Sequence, residues 1–184
     1  MARTGRRGRR YAAGAVAVLA VASVLGVAGL WPLTPSVATA GQLVRAHLSA
    51  FDSSELVALP QPDRVGQALI ATEDSRFALT PGIDPVSMLR AGVATLTGSI
   101  DTGAATLEQQ LAKNLYFPNS DGLFSKVVEA ELSLKLDVHY SKDDILRLYL
   151  AEVYFGHGFY GLPAAAHGYF GVAPAQLSWA QASM

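Results

Sequence analysis

Apolar positions after residue 60 recur with the spacing of amphipathic helices rather than of strands. Val65, Leu69 and Thr72 fall on one helical face, and no stretch alternates convincingly with a period of two. This part of the chain is therefore predicted to be mainly α-helical. Helices are predicted over residues 42–51, 65–73, 85–96, 107–116, 124–138, 142–153 and 163–170, and from residue 177 onward.

Polar residues that cap helices stand at three of the predicted starts. Asp84 directly precedes a proline, which favours a cap followed by the first helical position. Thr106 is followed three positions later by Gln109, the pattern of a capping box. Ser141 and Asp144 resemble the same pattern.

The first 31 residues have the pattern of a membrane anchor. Residues 11–31 carry no charge, and as a helix they would be about 31 Å long, which matches a hydrocarbon core of about 30 Å. Five arginines in residues 1–10 favour a cytoplasmic tail, which places the rest of the chain outside the cytoplasm. A signal peptide cleaved after residues 38–40 is the alternative, but the length of the apolar run favours a retained anchor. A linker over 32–59 would then lead to a domain over 60–184.

Charge and composition exclude several classes of function. After residue 40 the chain holds nine basic and 15 acidic residues, a net charge of −6, which argues against binding to nucleic acid. It has no cysteine, so disulfides and thiolate metal sites are excluded. His139, His157 and His167 lack the spacing of metal ligands and are expected at the surface or at the edge of a cleft.

Two adjacent carboxylates, Glu73 and Asp74, follow the apolar residues 68–71. A carboxylate at the end of an apolar segment loses solvation, which raises its pKa, so such a group could exchange a proton near neutral pH. The alternative is an ordinary helix end with Asp74 and Arg76 in solvent.

Glu129 is the second carboxylate of interest, because it shares a helical stripe with Leu132 and Leu136. A carboxylate on a partly apolar face must be paired or functional, and the alternative is a surface pair with Lys126 of little energetic value. Glu131 points away from this stripe and is expected in solvent. Two carboxylates from different helices that face one cleft would suit the making or breaking of glycosidic bonds.

The helix predicted over 107–116 presents a broad polar arc. Its lysine could hold a phosphate as a point charge, and its amides could bind sugar hydroxyls; the alternative is a solvated helix face. The arc consists of Gln109, Gln110, Lys113 and Asn114.

The aromatic and glycine-rich run 149–161 is consistent with a loop over a binding cleft, or with an aromatic core followed by a turn.

Five segments, in this order, resemble the motifs of the glycosyltransferase family that polymerises the lipid-linked disaccharide precursor of peptidoglycan. The family includes the transglycosylase domain of class A penicillin-binding proteins and the monofunctional transglycosylases. The resemblance covers residues 60–184, and five ordered motifs are far more specific than any one of them. The segments are 73–77 (EDSRF, with Gly82 and Asp84 following), 103–114 (GAATLEQQLAKN), 125–129 (SKVVE), 145–156 (ILRLYLAEVYFG) and 164–171 (AAAHGYFG).

The resemblance implies a reaction and a role for each carboxylate. Glu73 would be the general base that deprotonates the 4-hydroxyl of the acceptor sugar, which attacks the anomeric carbon of the growing glycan. Undecaprenyl pyrophosphate would leave. Glu129 would support the reaction at the pyrophosphate side, either through neighbouring cations or through a divalent cation such as Mg²⁺ or Mn²⁺, and no other cofactor is implied. The implied substrate contacts are Asp74, Arg76, Gln109, Gln110, Lys113, Asn114 and Lys126.

The same resemblance implies a lysozyme-like α-helical head, with a small jaw that touches the membrane over residues 84–105. The protein would be a single-pass protein of the bacterial cell membrane with its catalytic domain on the extracytoplasmic side. Lipid II and the growing glycan strand would be its substrates, and transpeptidases or other cell-wall synthases would be partners.

Five positions depart from the family motifs. The loss of a motif arginine at Ser125 and the gain of Glu108 are expected to remove positive charge where a pyrophosphate would bind. This motivates an alternative, a catalytically impaired relative that binds lipid II or another synthase at the membrane. A glycan-cleaving hydrolase is a third hypothesis, disfavoured by the glutamine pair and the anchor. The departures are Thr80, Ala105, Glu108, Ser125 and Ala151.

Overall fold

The computed structural model describes part of the chain. The predicted anchor lies outside it except for residues 29 and 31, and so does most of the predicted jaw. No helix in the described part has the length and apolarity needed to cross a membrane. The described residues are 29, 31–50, 64–87, 105–118 and 122–184.

The chain divides into two compact units, Met1–Pro35 and Ser36–Met184. The described part of the second unit is built from helices, with a single 3₁₀ turn at Pro174–Gln176 and one isolated β-bridge and without strands, so the predicted mainly α fold is confirmed. Its helices are α1 (Ala40–Ala50), α2 (Arg64–Glu73), α3 (Leu107–Tyr116), α4 (Leu123–His139), α5 (Lys142–Glu152), α6 (Leu162–Phe170) and α7 (Trp179–Ala182).

The core forms where α3 packs against α4 and α5. α1 packs against α5 and α3, although the sequence places it in the predicted linker. Apolar side chains at helical spacing make this core, as the periodicity predicts. The largest side chains sealed inside it include Phe77, Leu107, Leu111, Leu132, Leu136, Ile145, Leu148 and Leu150.

The predicted caps begin two of these helices. Thr106 and Gln109 form a complete capping box at α3, each side chain bonding the other's backbone N–H. Ser141 caps α5 through the N–H of Asp144. Gly171 ends α6 with a φ of 68°, a left-handed conformation that glycine adopts without strain. Where the sequence predicts a helix from residue 177, the structure has only the four residues of α7.

Glu131 corrects one prediction about exposure. It is 0% exposed and pairs with the buried Lys135, at 3.7 Å, whereas the sequence predicts it in solvent. The reason is that α4 contacts both α3 and α5, so more than one of its faces is buried. The pattern of apolar residues along one helix does not show whether a neighbouring helix also covers its opposite face.

The residues that follow α5 form a tight turn, closed by the isolated β-bridge between Tyr154 and Tyr160. The Phe155 N–H donates to the Phe159 carbonyl at 2.9 Å, and the Phe159 N–H donates to the Gly156 carbonyl at 2.9 Å. The Tyr169 hydroxyl donates to the Phe155 carbonyl at 2.8 Å. His157, within the turn, is exposed, and so are His139 and His167 elsewhere in the chain, as expected.

Gly82 occupies a position that no other residue fits. Its φ is 75°, and a Cβ there would lie 2.4 Å from the carbonyl oxygen of Ser133 on α4. We therefore expect Gly82→Ala to lower the free energy of unfolding by about 2–4 kcal/mol, from backbone strain and the clash together. Chemical denaturation followed by far-UV circular dichroism measures this loss.

Gly158→Ala is the matched control for that substitution. Gly158 has a φ of 84° but no atom within 4 Å of an added Cβ, so only the backbone strain of about 1–2 kcal/mol applies. Equal losses in the two variants would show that the approach of Gly82 to α4 has no energetic consequence.

Candidate active site

A cleft of about 300 Å³ lies between the end of α2 and the start of α3. Its described lining comes from three segments: the end of α2 with the turn after it, residues 84–87, and the residues that precede α3. It brings together three of the predicted site residues, Glu73, Asp74 and Arg76. The other lining residues are Thr72, Ser75, Asp84, Val86, Ser87, Ala105 and Thr106.

The two adjacent carboxylates differ in exposure. Glu73, the last residue of α2, is exposed, whereas Asp74 is only 7% exposed. Burial raises the pKa of Asp74, against the opposing effects of N–H groups from Leu107 and Arg76 and the charge of Lys142. Desolvation therefore acts on the second carboxylate, and the alternative that leaves Asp74 in solvent is wrong. The chain leaves the helix after Glu73 and turns Asp74 inward.

Asp74 fixes this turn to the start of α3. Its Oδ2 accepts the backbone N–H of Leu107 at 3.2 Å, an orphan donor at a helix N-terminus where a negative charge is favoured. Thr106 adds a second tie, since its hydroxyl donates to the Gly82 carbonyl at 2.7 Å. Asp74 thus stabilises the junction between this turn and α3, and its contact with substrate stays a prediction.

Arg76 is held in the cleft by a buried partner. Its guanidinium forms an ion pair with Asp84 and donates to the Ser87 hydroxyl at 3.3 Å. Asp84 also accepts the Val86 N–H at 3.0 Å, as expected of a helix cap. The Ser87 hydroxyl, bonded to Asp84 at 2.5 Å, lowers the pKa of Asp84, with backbone N–H groups and Arg76 adding to the effect. Asp84 therefore stays ionised and fixes the direction of Arg76.

The polar arc on α3 is half-buried and partly used within the protein. Gln109 belongs to the capping box, and the Gln110 Oε1 accepts the Tyr149 hydroxyl at 2.9 Å. Lys113 and Asn114 are half-buried on the same helix. These four residues are not among the described lining of the cleft, so their contact with substrate stays a prediction.

Glu129 is buried, with 4% exposure, so the alternative of a surface pair is wrong for its carboxylate. Its Oε2 accepts the half-exposed Lys126 ammonium at 2.9 Å. Its Oε1 is buried and has no hydrogen-bond partner in the described part of the chain. One oxygen of Glu108 and one of Glu152 are in the same situation, so this feature by itself does not mark Glu129 as functional. Glu129 is not among the described residues that line the cleft with Glu73.

Glu108 does not put negative charge into the cleft, contrary to expectation. It is 0% exposed, and its Oε1 pairs with the Lys142 ammonium at 2.6 Å. Burial raises the pKa of Glu108, and Lys142 opposes that rise. Ser125 is also buried, so a short hydroxyl residue stands where the motif has an arginine.

The described residues contain no group of three or more acidic or histidine side chains that could hold a metal ion. Glu129 offers a single free oxygen beside the Lys126 ammonium, which competes with a cation for the carboxylate. The described donor set therefore does not fit a divalent cation.

Comparison with known proteins decides the family. The sequence profile described as transglycosylase matches residues 43–184, which is most of the chain. The chain belongs to the transglycosylase family. Among its relatives, a Cupriavidus necator protein named a transglycosylase is 38% identical over 123 residues, which cover 67% of this chain and 53% of that protein.

Two penicillin-binding proteins extend the comparison. Penicillin-binding protein 1A of Escherichia coli is 42% identical over 64% of this chain and 14% of its own length. Penicillin-binding protein 1F of Bacillus subtilis is 43% identical over 59% of this chain and 15% of its own length. This transglycosylase chain thus spans about half of one curated relative and a much smaller share of the penicillin-binding proteins.

Sequence reasoning missed the contacts that organise this transglycosylase cleft. The sequence predicts Asp84 only as a cap and does not reveal its pairing with Arg76, although both lie in the first motif segment. Nothing in the sequence distinguishes Lys142, because two of its three partners lie 34 and 62 residues away, where local spacing cannot reveal them.

The pKa of Tyr149 depends in part on the negative charge of Glu73. Burial, with the negative charge of Glu73 adding to it, raises the pKa of Tyr149 from 10.0 to about 12. The neutral phenol therefore contributes stability that is complete below pH 10.0 and lost as the pH rises through about 12. In Glu73→Gln we expect the pKa of Tyr149, followed by ¹³C NMR of its ring, to fall below the wild-type value.

Tyr116 is the internal control in that titration. Its pKa is also raised to about 12, by burial and by the nearby Tyr140, without a contribution from Glu73. Its titration should be the same in both proteins. If the pKa of Tyr149 does not change either, Glu73 lies too far from α5 to act on it.

Proposed function

We propose that this domain is a peptidoglycan glycosyltransferase, which polymerises lipid II into glycan strands and releases undecaprenyl pyrophosphate. The observation that carries the proposal is the pairing, in one cleft, of an exposed carboxylate and a fixed guanidinium, Glu73 and Arg76. Family membership supports the reaction class. The substrates and the product come from the motif resemblance.

Glu73 is suited to the role of general base. In the described part of the chain no ion pair or hydrogen bond holds its carboxylate, so its oxygens are free to accept a proton. It would take the proton of the acceptor 4-hydroxyl as that oxygen bonds to the anomeric carbon of the donor. The bond from that carbon to the pyrophosphate oxygen breaks, and the electron pair leaves with the pyrophosphate.

Cationic side chains would stabilise the charge that develops on the leaving group. Arg76 is the candidate inside the cleft, with Lys113 and Lys126 as further candidates on α3 and α4. Glu129 would act by orienting Lys126, since its other oxygen is sealed from solvent. Glu108 is buried against Lys142 and therefore adds no negative charge to the cleft. This supports the assignment, because negative charge in the cleft would favour the alternative of a non-catalytic relative.

The setting of the reaction belongs to the same proposal. Residues 11–31 would anchor the protein as a single-pass membrane protein, with the catalytic domain on the extracytoplasmic side where lipid II is polymerised. Transpeptidases or other cell-wall synthases would be its partners there. The predicted jaw over residues 84–105 would touch the membrane beside the cleft.

Polymerisation of labelled lipid II by the full chain in detergent tests the proposal. We expect a ladder of glycan strands on a gel, which muramidase returns to disaccharide units. Binding of lipid II without strands would reject the enzyme and favour the non-catalytic relative. Release of soluble fragments from isolated cell walls would instead identify a hydrolase.

A further inference from the structure

Lys142, at the first position of α5, joins three separate parts of the domain. Its ammonium lies 2.6 Å from the Glu108 Oε1, 2.7 Å from the Asp137 Oδ1 and 2.6 Å from the Thr80 carbonyl oxygen. An ammonium has three N–H donors, so these three acceptors satisfy it completely. The ring of Phe77 lies 4.7 Å below it, which adds a cation–π contact.

The partner on the cleft side belongs to the turn that follows the two adjacent carboxylates. Phe77 donates its N–H to the Asp74 carbonyl at 2.9 Å, and Thr80 donates its N–H to the Arg76 carbonyl at 3.1 Å. The hydrogen bond from Lys142 to the Thr80 carbonyl closes this turn from the opposite side. The turn is thereby fixed to α5.

The other two partners fix the same ammonium to α3 and α4. Glu108 is the second residue of α3, the helix whose start lines the cleft, and Asp137 lies in the last turn of α4. Burial by itself would lower the pKa of Lys142, but the carboxylates of Asp137 and Glu108 raise it above its usual value. Lys142 therefore stays charged, and its three donors are already used, so it has none left for a phosphate.

We propose that Lys142 is a positioning residue, which holds the turn over residues 77–80 and thereby keeps Glu73 in register with the start of α3. It acts through the Thr80 carbonyl and the Phe77 ring and does not touch substrate. The inference rests on the proposed glycosyltransferase activity for its kinetic consequence, and on geometry alone for its effect on the turn.

The test compares two variants that both lack the buried charge of Glu108. Lys142→Met alone would leave that carboxylate buried and unpaired and could fail to fold. Glu108→Met replaces it with an apolar side chain of similar volume and leaves Lys142 bonded to Asp137 and Thr80. Glu108→Met/Lys142→Met differs from this reference only in the ammonium, and Glu108→Met/Lys142→Arg tests rescue by a second cation.

Two readouts separate the inference from the proposed function. Amide hydrogen exchange over residues 77–80, measured by mass spectrometry, should be at least about tenfold faster in the double methionine variant than in the reference, with no substrate required. With lipid II, its kcat should fall about 10–100-fold through misplacement of the base. The KM should remain nearly unchanged, because Asp84 and Ser87 still hold Arg76. The arginine variant should recover part of the kcat.

Unchanged exchange in the turn would overturn the inference whether or not the protein polymerises lipid II. So would faster exchange with an unchanged kcat in an active protein, since the turn would then not position the base. If the wild type makes no glycan, the proposed function fails, and the exchange data still decide whether Lys142 holds the turn.

Discussion

Glu73→Gln is expected to reduce polymerisation of lipid II by about 10²–10⁴-fold, because an amide cannot take the proton of the acceptor hydroxyl. Glutamine keeps the size of the side chain, and the exposed position at the end of α2 removes any packing penalty. The fold should therefore be unaffected, and KM should change less than kcat. Initial rates with labelled lipid II, beside far-UV circular dichroism, measure both.

Asp143→Asn is a suitable control for the loss of one carboxylate. Asp143 is exposed in the first turn of α5 and does not line the cleft, so its rate should match that of the wild type. A Glu73→Gln protein that polymerises as fast as this control would remove Glu73 as the base. Glu129 would then be the carboxylate to test, although it is buried, pairs with Lys126 and is not among the described residues that line the cleft with Glu73.

Lys142→Met should destabilise the fold more than Gly82→Ala does. It leaves Glu108, which is 0% exposed, with a buried charge and no partner, and such a loss costs about 3–5 kcal/mol. Part of the cost is avoided if Glu108 binds a proton, so the loss should be smaller at low pH. Denaturant unfolding at two pH values measures it.

Two further variants isolate the cause of that loss. Glu108→Met/Lys142→Met should recover most of the stability, since an apolar pair replaces the buried ion pair. Arg147→Met, on the same helix, breaks a surface pair with Asp144 and should cost less than about 1 kcal/mol. Comparable losses in Lys142→Met and Arg147→Met would show that the burial of Glu108 carries no penalty.

Local signals predicted the helices well because their causes are local. The capping box at Thr106 and the cap at Ser141 bond groups within a few residues, and the structure has both. The apolar period likewise located α2 with Glu73 at its end. These features require no knowledge of which helices pack together.

Burial and pairing depend on packing, and there the sequence was insufficient. Whether Glu131 meets water depends on what covers the far side of α4, and whether Glu108 carries free charge depends on Lys142, 34 residues away. The cleft residues 73, 74 and 76 could be named because they are adjacent in sequence. The placement of Glu129 relative to Glu73 in one cleft stays a prediction, as does the functional division of the chain at residue 60.

The attachment of α1 determines where the chain can be shortened to obtain a soluble fragment. Ala40 and Val44 are 0% exposed, and His47 reaches the buried Glu152 at 2.9 Å. The Tyr140 hydroxyl also donates to the Val37 carbonyl at 3.0 Å. A truncation that starts at residue 60 would strip this helix away, leave apolar faces of α3 and α5 bare and invite aggregation. A shortened chain should therefore begin no later than residue 36.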